Sequence, residues 1–172
     1  VNLDDIRKVF KEMNRHLYWV ALSGGEITLV KYFEELLQAA KEECPNLSIL
    51  TFTTNALKPK KALNHAKKAR DLGFDVFVTI SLDGDKEVHD RVRGIRGNYE
   101  KCQWLYKALK DENINTHFGL TVGDENWEFV SEQYRSRREQ IKSVVFAHSE
   151  GIYAKTIDKD RINIISALWS VY

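Results

Sequence analysis

Two adjacent glycines followed by a glutamate, Gly24, Gly25 and Glu26, are the residues of this chain that most directly offer chemistry. Glycine lets the main chain approach a ligand where a Cβ atom would collide, and it permits positive φ angles. The exposed N–H and C=O groups of such a turn can bind the charged ends of a small zwitterion. The carboxylate of Glu26 suits an ammonium group. The same residues also fit a tight strand-to-helix turn with a solvated glutamate.

Three further polar stretches each come directly after an apolar run, as the glycine turn does. These stretches are residues 53–55, 81–84 and 121–126. In a parallel sheet that alternates with helices, ligands bind at the carboxyl ends of the strands. The sequence therefore predicts that Gly25, Asn55 and Ser81 lie at the carboxyl ends of neighbouring parallel strands, on one rim.

The elements that must position these residues follow from the periodicity of the apolar side chains. Helices are predicted over residues 3–15, 29–44, 58–72, 99–111, 127–139 and 159–170, with a short helical turn at 87–92. Strands are predicted over residues 18–22, 47–54, 74–80, 114–122 and 141–147. Residues 74–80 are nearly all apolar, which is typical of a strand buried on both faces. This alternation predicts an α/β fold with a parallel sheet, as one domain spanning residues 1–172.

Composition excludes several classes of function. The chain has 172 residues, 43% hydrophobic, and a formal net charge of +1, with no basic block that would favour nucleic acid or a membrane surface. No apolar run reaches the length of a membrane span. The two cysteines, Cys44 and Cys102, do not form a local metal-ligand motif, and a disulfide framework is not expected. A cytoplasmic location fits best.

Four segments of the chain read LSGGE at 22–26, TN at 54–55, ISLDG at 80–84 and VHDRVRG at 88–94, with a glycine at 97. In this order and with this spacing, they resemble the radical S-adenosylmethionine (radical SAM) superfamily. The match covers about residues 4–145. The resemblance implies a partial (β/α) barrel whose first strand and cluster loop are missing from this chain. The subfamily that carries the long last block includes enzymes that mature peptides, sulfatases and cofactors.

The resemblance also implies a set of residues that bind S-adenosylmethionine. Gly24, Gly25 and Glu26 would hold the methionyl amino group, and Asn55 joins them at the next strand end. Ser81 and Asp83 would lie near the ribose.

Arg93 is implied as the partner of the methionyl carboxylate, a role that suits a guanidinium because it binds carboxylates through two parallel hydrogen bonds. The alternative is a salt bridge to Asp90 or Asp83. Both Glu26 and Arg93 are expected at an open rim, so that replacing either should change fold stability little. Residues 119–125 loosely match a glycine-containing motif of the family, and a plain strand end explains them equally well.

The largest departure from the family is the absence of its cluster motif, C-x-x-x-C-x-x-C. In the family these three thiolates hold a 4Fe-4S cluster and leave one iron open for S-adenosylmethionine. Cys44 is predicted to close a helix and Cys102 to lie mid-helix at an apolar position, so both are interpreted as structural and no metal ligand is assigned. The stretch before Val1 is inferred to be missing, with the cluster expected in the full-length protein. The fragment alone would then be inactive.

Two other functions stay open beside a radical SAM enzyme. One is a non-catalytic module that binds a nucleotide-like ligand at the same rim, and the other is an unrelated βα-barrel enzyme for a phosphorylated metabolite. His89 can also be interpreted as a metal ligand. A structural role is the alternative, and it is favoured because no second ligand has a suitable spacing in the sequence. The resemblance implies a small-molecule or peptide substrate and an electron donor such as ferredoxin or flavodoxin.

Overall fold

The computed structural model describes residues 2–123, 126, 129 and 140–146, and within this part helices alternate with strands. The helices are α1 (Leu3–Met13), α2 (Phe33–Glu43), α3 (Pro59–Asp71), α4 (Lys86–Arg93) and α5 (Asn98–Asp111), and the strands are β1 (Trp19–Leu22), β2 (Ile49–Thr54), β3 (Asp75–Ser81), β4 (Asn115–Val122) and β5 (Ile141–Phe146). The predicted helix at 127–139 lies outside the described residues except for residue 129. The predicted helix at 159–170 lies wholly outside them.

The five strands form one sheet in the order β1-β2-β3-β4-β5. The pairs β1–β2, β2–β3 and β4–β5 are all parallel. Parallel neighbours need a long crossover between them, and a helix supplies it. The predicted α/β class with parallel strands alternating with helices is therefore confirmed. Because β1, β2 and β3 are parallel neighbours, Gly25, Asn55 and Ser81 each follow or close a strand at its carboxyl end, as predicted.

The described residues fall into two compact units. The described parts of Val1–Ile80 and Gln103–Thr116 form the first, and those of Ser81–Cys102 and His117–Tyr172 form the second. In the first unit, one face of the sheet is buried through side chains such as Leu50, Phe52 and Val78. Burying each such side chain stabilises the fold by about 1.5–3 kcal/mol.

Strand β3 differs from the prediction of burial on both faces. Val76, Val78 and Ile80 are buried, whereas Phe77 and Thr79 on the other face are half-buried. Side chains along a strand alternate between faces, so one face of β3 packs in the core and the other stays partly open.

Two helices have bounds that local periodicity did not predict. The α-helix predicted from residue 29 begins only at Phe33, because a separate 3₁₀ turn, Ile27–Leu29, comes first and the side chain of Glu26 caps it. The predicted short turn at 87–92 is the full helix α4. Asp85 caps its amino end by accepting from the N–H of Val88 at 2.9 Å, and Gly94 ends it at φ 67°.

Candidate functional site

The glycine turn of the first unit, residues 23–25, follows β1 and is open to solvent. Ser23, Gly24 and Gly25 are exposed. Gly24 has φ +127°, which side-chain-bearing residues rarely adopt. A Cβ atom built on Gly25 meets no atom within 4 Å, and its φ is not positive, so the protein's own packing does not require glycine there. The open space lets a ligand lie directly against this main chain.

The carboxylate of Glu26 ties this turn to the end of β2. Its Oε1 accepts from the N–H and hydroxyl of Thr28 at 3.1 and 2.8 Å and from the hydroxyl of Thr54 at 2.7 Å. Its Oε2 accepts from the main-chain N–H of Asn55 at 2.7 Å. Both threonines are buried. Glu26 is thus part of the internal structure as well as of the rim.

One oxygen of Glu26 keeps capacity for a further donor. An ionised carboxylate offers about four lone-pair sites. Among the described residues, Oε1 has three donors and Oε2 has one, and Glu26 is half-buried. An ammonium group that reaches Oε2 would find an acceptor whose position is already fixed.

Asn55 is engaged within the protein. Its N–H donates to Glu26, and its Oδ1 accepts from the N–H of Leu57 at 3.0 Å. On the far side of the turn, Lys61 of α3 donates from Nζ to the carbonyl of Thr28 at 2.6 Å. Sequence reasoning missed the roles of Thr28, Thr54 and Lys61, and the one local signal was the pair of threonines that precedes Asn55.

Asp83 is the central residue of the site in the second unit. It is 2% exposed. Its N–H donates to Nδ1 of His89 at 3.0 Å, and its Oδ1 accepts from the N–H of Thr121 at 3.1 Å. Its carbonyl oxygen accepts from Nδ2 of Asn126 at 2.7 Å. The main chain and the carboxylate of Asp83 are therefore both held from inside the protein.

Arg93 lies beside the same carboxylate. Its Nε is 2.6 Å from Oδ2 of Asp83, although the N–H is not aligned with that oxygen, so the contact is an ion pair rather than a hydrogen bond. Within the described residues, Asp83 is the one carboxylate paired with this guanidinium. Of the two salt bridges weighed from the sequence, the structure has the one to Asp83. The side chain is 29% exposed and its Nε is buried, so a carboxylate ligand would have to meet this guanidinium through its η nitrogens.

Ser81, the last residue of β3, is in contact with Cys102 of α5. The thiol of Cys102 donates to the carbonyl of Ser81 at 3.5 Å. The hydroxyl of Ser81 is half-buried and has no hydrogen bond among the residues that the structure describes, which leaves it available to a ligand hydroxyl. Burial raises the pKa of Cys102 to about 12. This thiol is therefore a packing residue at neutral pH, as interpreted from the sequence.

His89 is fully buried with partners on both ring nitrogens. Nδ1 accepts from Asp83, and Nε2 lies 3.7 Å from Sγ of Cys102. Burial lowers the pKa of His89, although the charge of Asp83 opposes this shift, so the ring is neutral. The described residues contain no cluster of three groups that could hold a metal ion. These contacts support the structural role of His89.

Asp90, the next residue of α4, caps the amino end of α5. Its oxygens accept from the N–H groups of Gly97 at 2.6 Å and Tyr99 at 2.9 Å. Partial burial raises the pKa of Asp90, but these two hydrogen bonds, together with smaller effects of His89 and Asn98, bring the net pKa below its ordinary value. This capping role was missed from the sequence, where the glycine at 97 directly before α5 was the available signal.

The two cysteines do not fit an iron–sulfur cluster. Cys44 and Cys102 are buried, and both thiols are free. Cys44 donates to the carbonyl of Phe10 at 3.5 Å, and burial raises its pKa. Cluster ligation needs clustered thiolates, and burial in apolar surroundings opposes thiolate formation. The cluster ligands are thus not among the residues of this chain.

Known proteins match this chain in sequence and in structure. The model of the Radical SAM superfamily matches residues 1–132. The sporulation killing factor maturation protein SkfB of Bacillus subtilis is 31% identical over 114 residues, which are 66% of this chain and 26% of that protein. The Fe-coproporphyrin III synthase of Methanosarcina barkeri is 28% identical over 107 residues, which are 62% of this chain and 25% of that protein.

Among solved structures, native anSMEcpe with bound AdoMet superposes with a TM-score of 0.71 at 17% identity and covers 98% of this chain and 51% of its own. The same protein with bound AdoMet and the Kp18Cys peptide gives a TM-score of 0.67 at 18% identity and covers 92% of this chain and 47% of its own. These likenesses show the fold.

The chain spans about a quarter of the length of the curated relatives that it matches. No helix in the described part of the chain is both long and apolar enough to cross a membrane. The superfamily match covers more than three quarters of the chain, from residue 1 to residue 132, and includes the glycine turn and the segment from Ser81 to Arg93. The chain belongs to the radical SAM superfamily.

Proposed function

We propose that this chain is the S-adenosylmethionine-binding part of a radical SAM enzyme that modifies a peptide. The observation that carries the proposal is the open glycine turn beside Glu26, because Gly24 and Gly25 are exposed, a Cβ atom on Gly25 would meet no atom within 4 Å, and Oε2 of Glu26 has one donor among the described residues. S-adenosylmethionine has an ammonium group, a carboxylate and ribose hydroxyls, and the described residues offer a group of suitable chemistry for each.

In this proposal, the ammonium group of S-adenosylmethionine is bound by the main chain of Gly24 and Gly25 and by Oε2 of Glu26. Asn55 contributes through its main chain, which fixes Glu26, and Ser81 offers its hydroxyl to the ribose.

Arg93 receives the methionyl carboxylate on its η nitrogens. Asp83, whose carboxylate is buried and engaged, acts on the ligand through Arg93 rather than by direct contact. When bound and given one electron, S-adenosylmethionine supplies a 5′-deoxyadenosyl radical. The residues described here bind and orient it.

The iron–sulfur cluster belongs to a segment other than this chain, since neither cysteine fits as a ligand. We propose that the parent protein carries the three-cysteine motif upstream, that the chain alone is inactive, and that the enzyme is cytoplasmic and takes its electron from a ferredoxin or flavodoxin.

A peptide substrate is favoured by the first relative, whose name describes maturation of a killing factor, and by the solved neighbour with a bound peptide. The synthase of Methanosarcina barkeri makes a tetrapyrrole substrate the second candidate.

The test compares the parent protein with this chain purified alone. Anaerobic reconstitution with iron and sulfide, followed by iron counting and an assay for 5′-deoxyadenosine, should give a four-iron cluster and product only in the parent protein. A non-catalytic module would bind S-adenosylmethionine in calorimetry without forming 5′-deoxyadenosine. A four-iron chromophore in the chain alone would contradict the proposal that the ligands lie elsewhere.

A further inference from the structure

Helix α4 holds Asp83 at two different points. His89 accepts from the N–H of Asp83, and Arg93 lies against its Oδ2. These two side chains are four residues apart and so lie on the same side of the helix, one turn from each other. The loop that ends β3 is therefore fixed to one face of one short helix.

The hydrogen bond from Asp83 also fixes the protonation state of His89. Nδ1 accepts a hydrogen bond, so it carries no proton, and in a neutral ring the proton is on Nε2. That N–H faces Sγ of Cys102 at 3.7 Å, and Cys102 is itself held by Nδ2 of Asn98 at 3.3 Å. All four side chains are at most 2% exposed. The ring thus has one orientation and one tautomer.

We propose that His89 is a positioning residue for ligand binding: it fixes the main chain of Asp83, so that the carboxylate of Asp83 holds the guanidinium of Arg93 in the orientation that receives an anionic group. This inference rests on the proposed function of Arg93. His89 does not touch the ligand. It acts through Asp83, and the arrangement needs an acceptor at the place of Nδ1.

The test compares two replacements of His89 in the parent protein. Asparagine places its Oδ1 close to the position of Nδ1 and keeps an acceptor, whereas leucine fills a similar volume without one. Loss of a hydrogen bond to a buried amide is expected to weaken S-adenosylmethionine binding about tenfold in His89→Leu. His89→Asn should bind within about threefold of the wild type, because the acceptor remains. Affinity is measured by calorimetry, with melting temperatures recorded in parallel.

His65→Leu is the matched control. His65 is also a buried histidine, 3% exposed, but it lies in the first unit against Phe33, and its ring nitrogens have no hydrogen bond among the described residues. Its replacement should leave the affinity unchanged. A similar loss in both variants would mean that the effect of His89→Leu is general destabilisation and would overturn the inference.

The remaining outcomes separate this inference from the proposed function. If the wild type does not bind S-adenosylmethionine, the proposed function fails and the inference with it. If Arg93→Ala weakens binding but His89→Leu binds like the wild type, only the inference fails. If His89→Leu is insoluble, His89→Asn decides, because tenfold weaker binding of that variant would overturn the positioning role and near wild-type binding would support it.

Discussion

The Nε atom of Arg93 lies 2.6 Å from Oδ2 of Asp83, and this arginine has no other carboxylate partner within the described residues. The side chain of Asp83 is 3% exposed and that of Arg93 is 29% exposed, so a buried anion is paired with a partly exposed arginine. An arginine so placed keeps part of its planar fork for a second anion. The pair thus connects the stability of the loop to its capacity to bind a carboxylate.

Replacing Arg93 should separate these two properties. Arg93→Lys keeps a positive charge near Asp83 and should retain most of the stability, but lysine lacks the planar fork, so S-adenosylmethionine binding should weaken about ten- to a hundredfold. Arg93→Ala should lose the same affinity and also stability, by about 1–3 kcal/mol, because the buried carboxylate loses a partner. Calorimetry and urea unfolding of the parent protein measure the two effects. Unchanged affinity in both variants would remove Arg93 from the site.

Glu26 should prove important to the fold as well as to the ligand. The sequence predicts a small effect on stability, whereas the structure gives its carboxylate four donors. In Glu26→Gln an amide nitrogen must face one of these donors, which should lower the free energy of unfolding by about 1–3 kcal/mol. Urea unfolding tests this. Unfolding at the wild-type midpoint would contradict the internal role and support the interpretation of Glu26 as a solvated residue of the turn.

Gly25→Ala should weaken ligand binding with little effect on stability. A Cβ atom there has open space and no positive φ, so the free energy of unfolding should change by less than about 0.5 kcal/mol. The same Cβ occupies the space that a ligand needs in order to reach the main chain, and affinity should fall at least tenfold on the scale of one lost charge-assisted hydrogen bond, about 1.5–3 kcal/mol.

Gly84→Ala is the contrasting control. A Cβ on Gly84 would lie 2.5 Å from Cγ1 of Val88 and 3.1 Å from the main-chain nitrogen of His89. Overpacking of this kind costs about 1–3 kcal/mol, so this variant should lose stability. If Gly25→Ala instead loses stability like Gly84→Ala in urea unfolding, the space above the turn is not open. If its affinity for S-adenosylmethionine is unchanged in calorimetry, that space is not a ligand site.

Stability should depend on pH through His65. Burial lowers its pKa to about 4, and nearby Lys61 adds to this shift. The unfolded chain takes up this proton near pH 6.5 and the native chain only near pH 4, so the unfolded state binds more protons between these values. The contribution, at most about 3 kcal/mol, is present above pH 6.5 and is lost as pH falls towards 4.

His65→Leu should flatten this dependence. Leucine does not titrate, and it removes two buried ring nitrogens that have no hydrogen bond among the described residues. Urea unfolding at pH 7.5 and pH 5 should show a smaller difference in the variant than in the wild type. An equal difference in both proteins would assign the pH dependence to other groups, of which His89 is the next, since burial lowers its pKa too.

The strand ends at Gly25, Asn55 and Ser81 could be predicted, because the spacing of apolar residues and the presence of turn residues are local features of the sequence. The partners of Glu26 were not, since Thr54 and Asn55 are 28 and 29 residues away in the chain. These bonds form only after β1 and β2 pair, and a hydrogen bond across such a separation leaves no trace in local periodicity.

Helix α4 shows the same limit. Its eight residues, Lys86–Arg93, resemble a short polar turn because too few of them are apolar to show a helical period. Most of the other positions have polar side chains, several of which bind neighbouring loops. From the sequence, His89 is interpreted as a metal ligand or a structural residue, and Asp90 as a possible salt-bridge partner of Arg93. The structure instead engages each with main-chain N–H groups that lie six to nine residues away.

The spacing of His89, Asp90 and Arg93 has a consequence for how this segment can vary. Each added residue turns an α-helix by about 100°. One residue inserted between Asp90 and Arg93 would therefore carry the guanidinium away from Asp83, while the hydrogen bond from Asp83 to His89 was kept. An insertion at this place should therefore break the ion pair, so the four-residue spacing from His89 to Arg93 is set by the helical repeat rather than by the ligand.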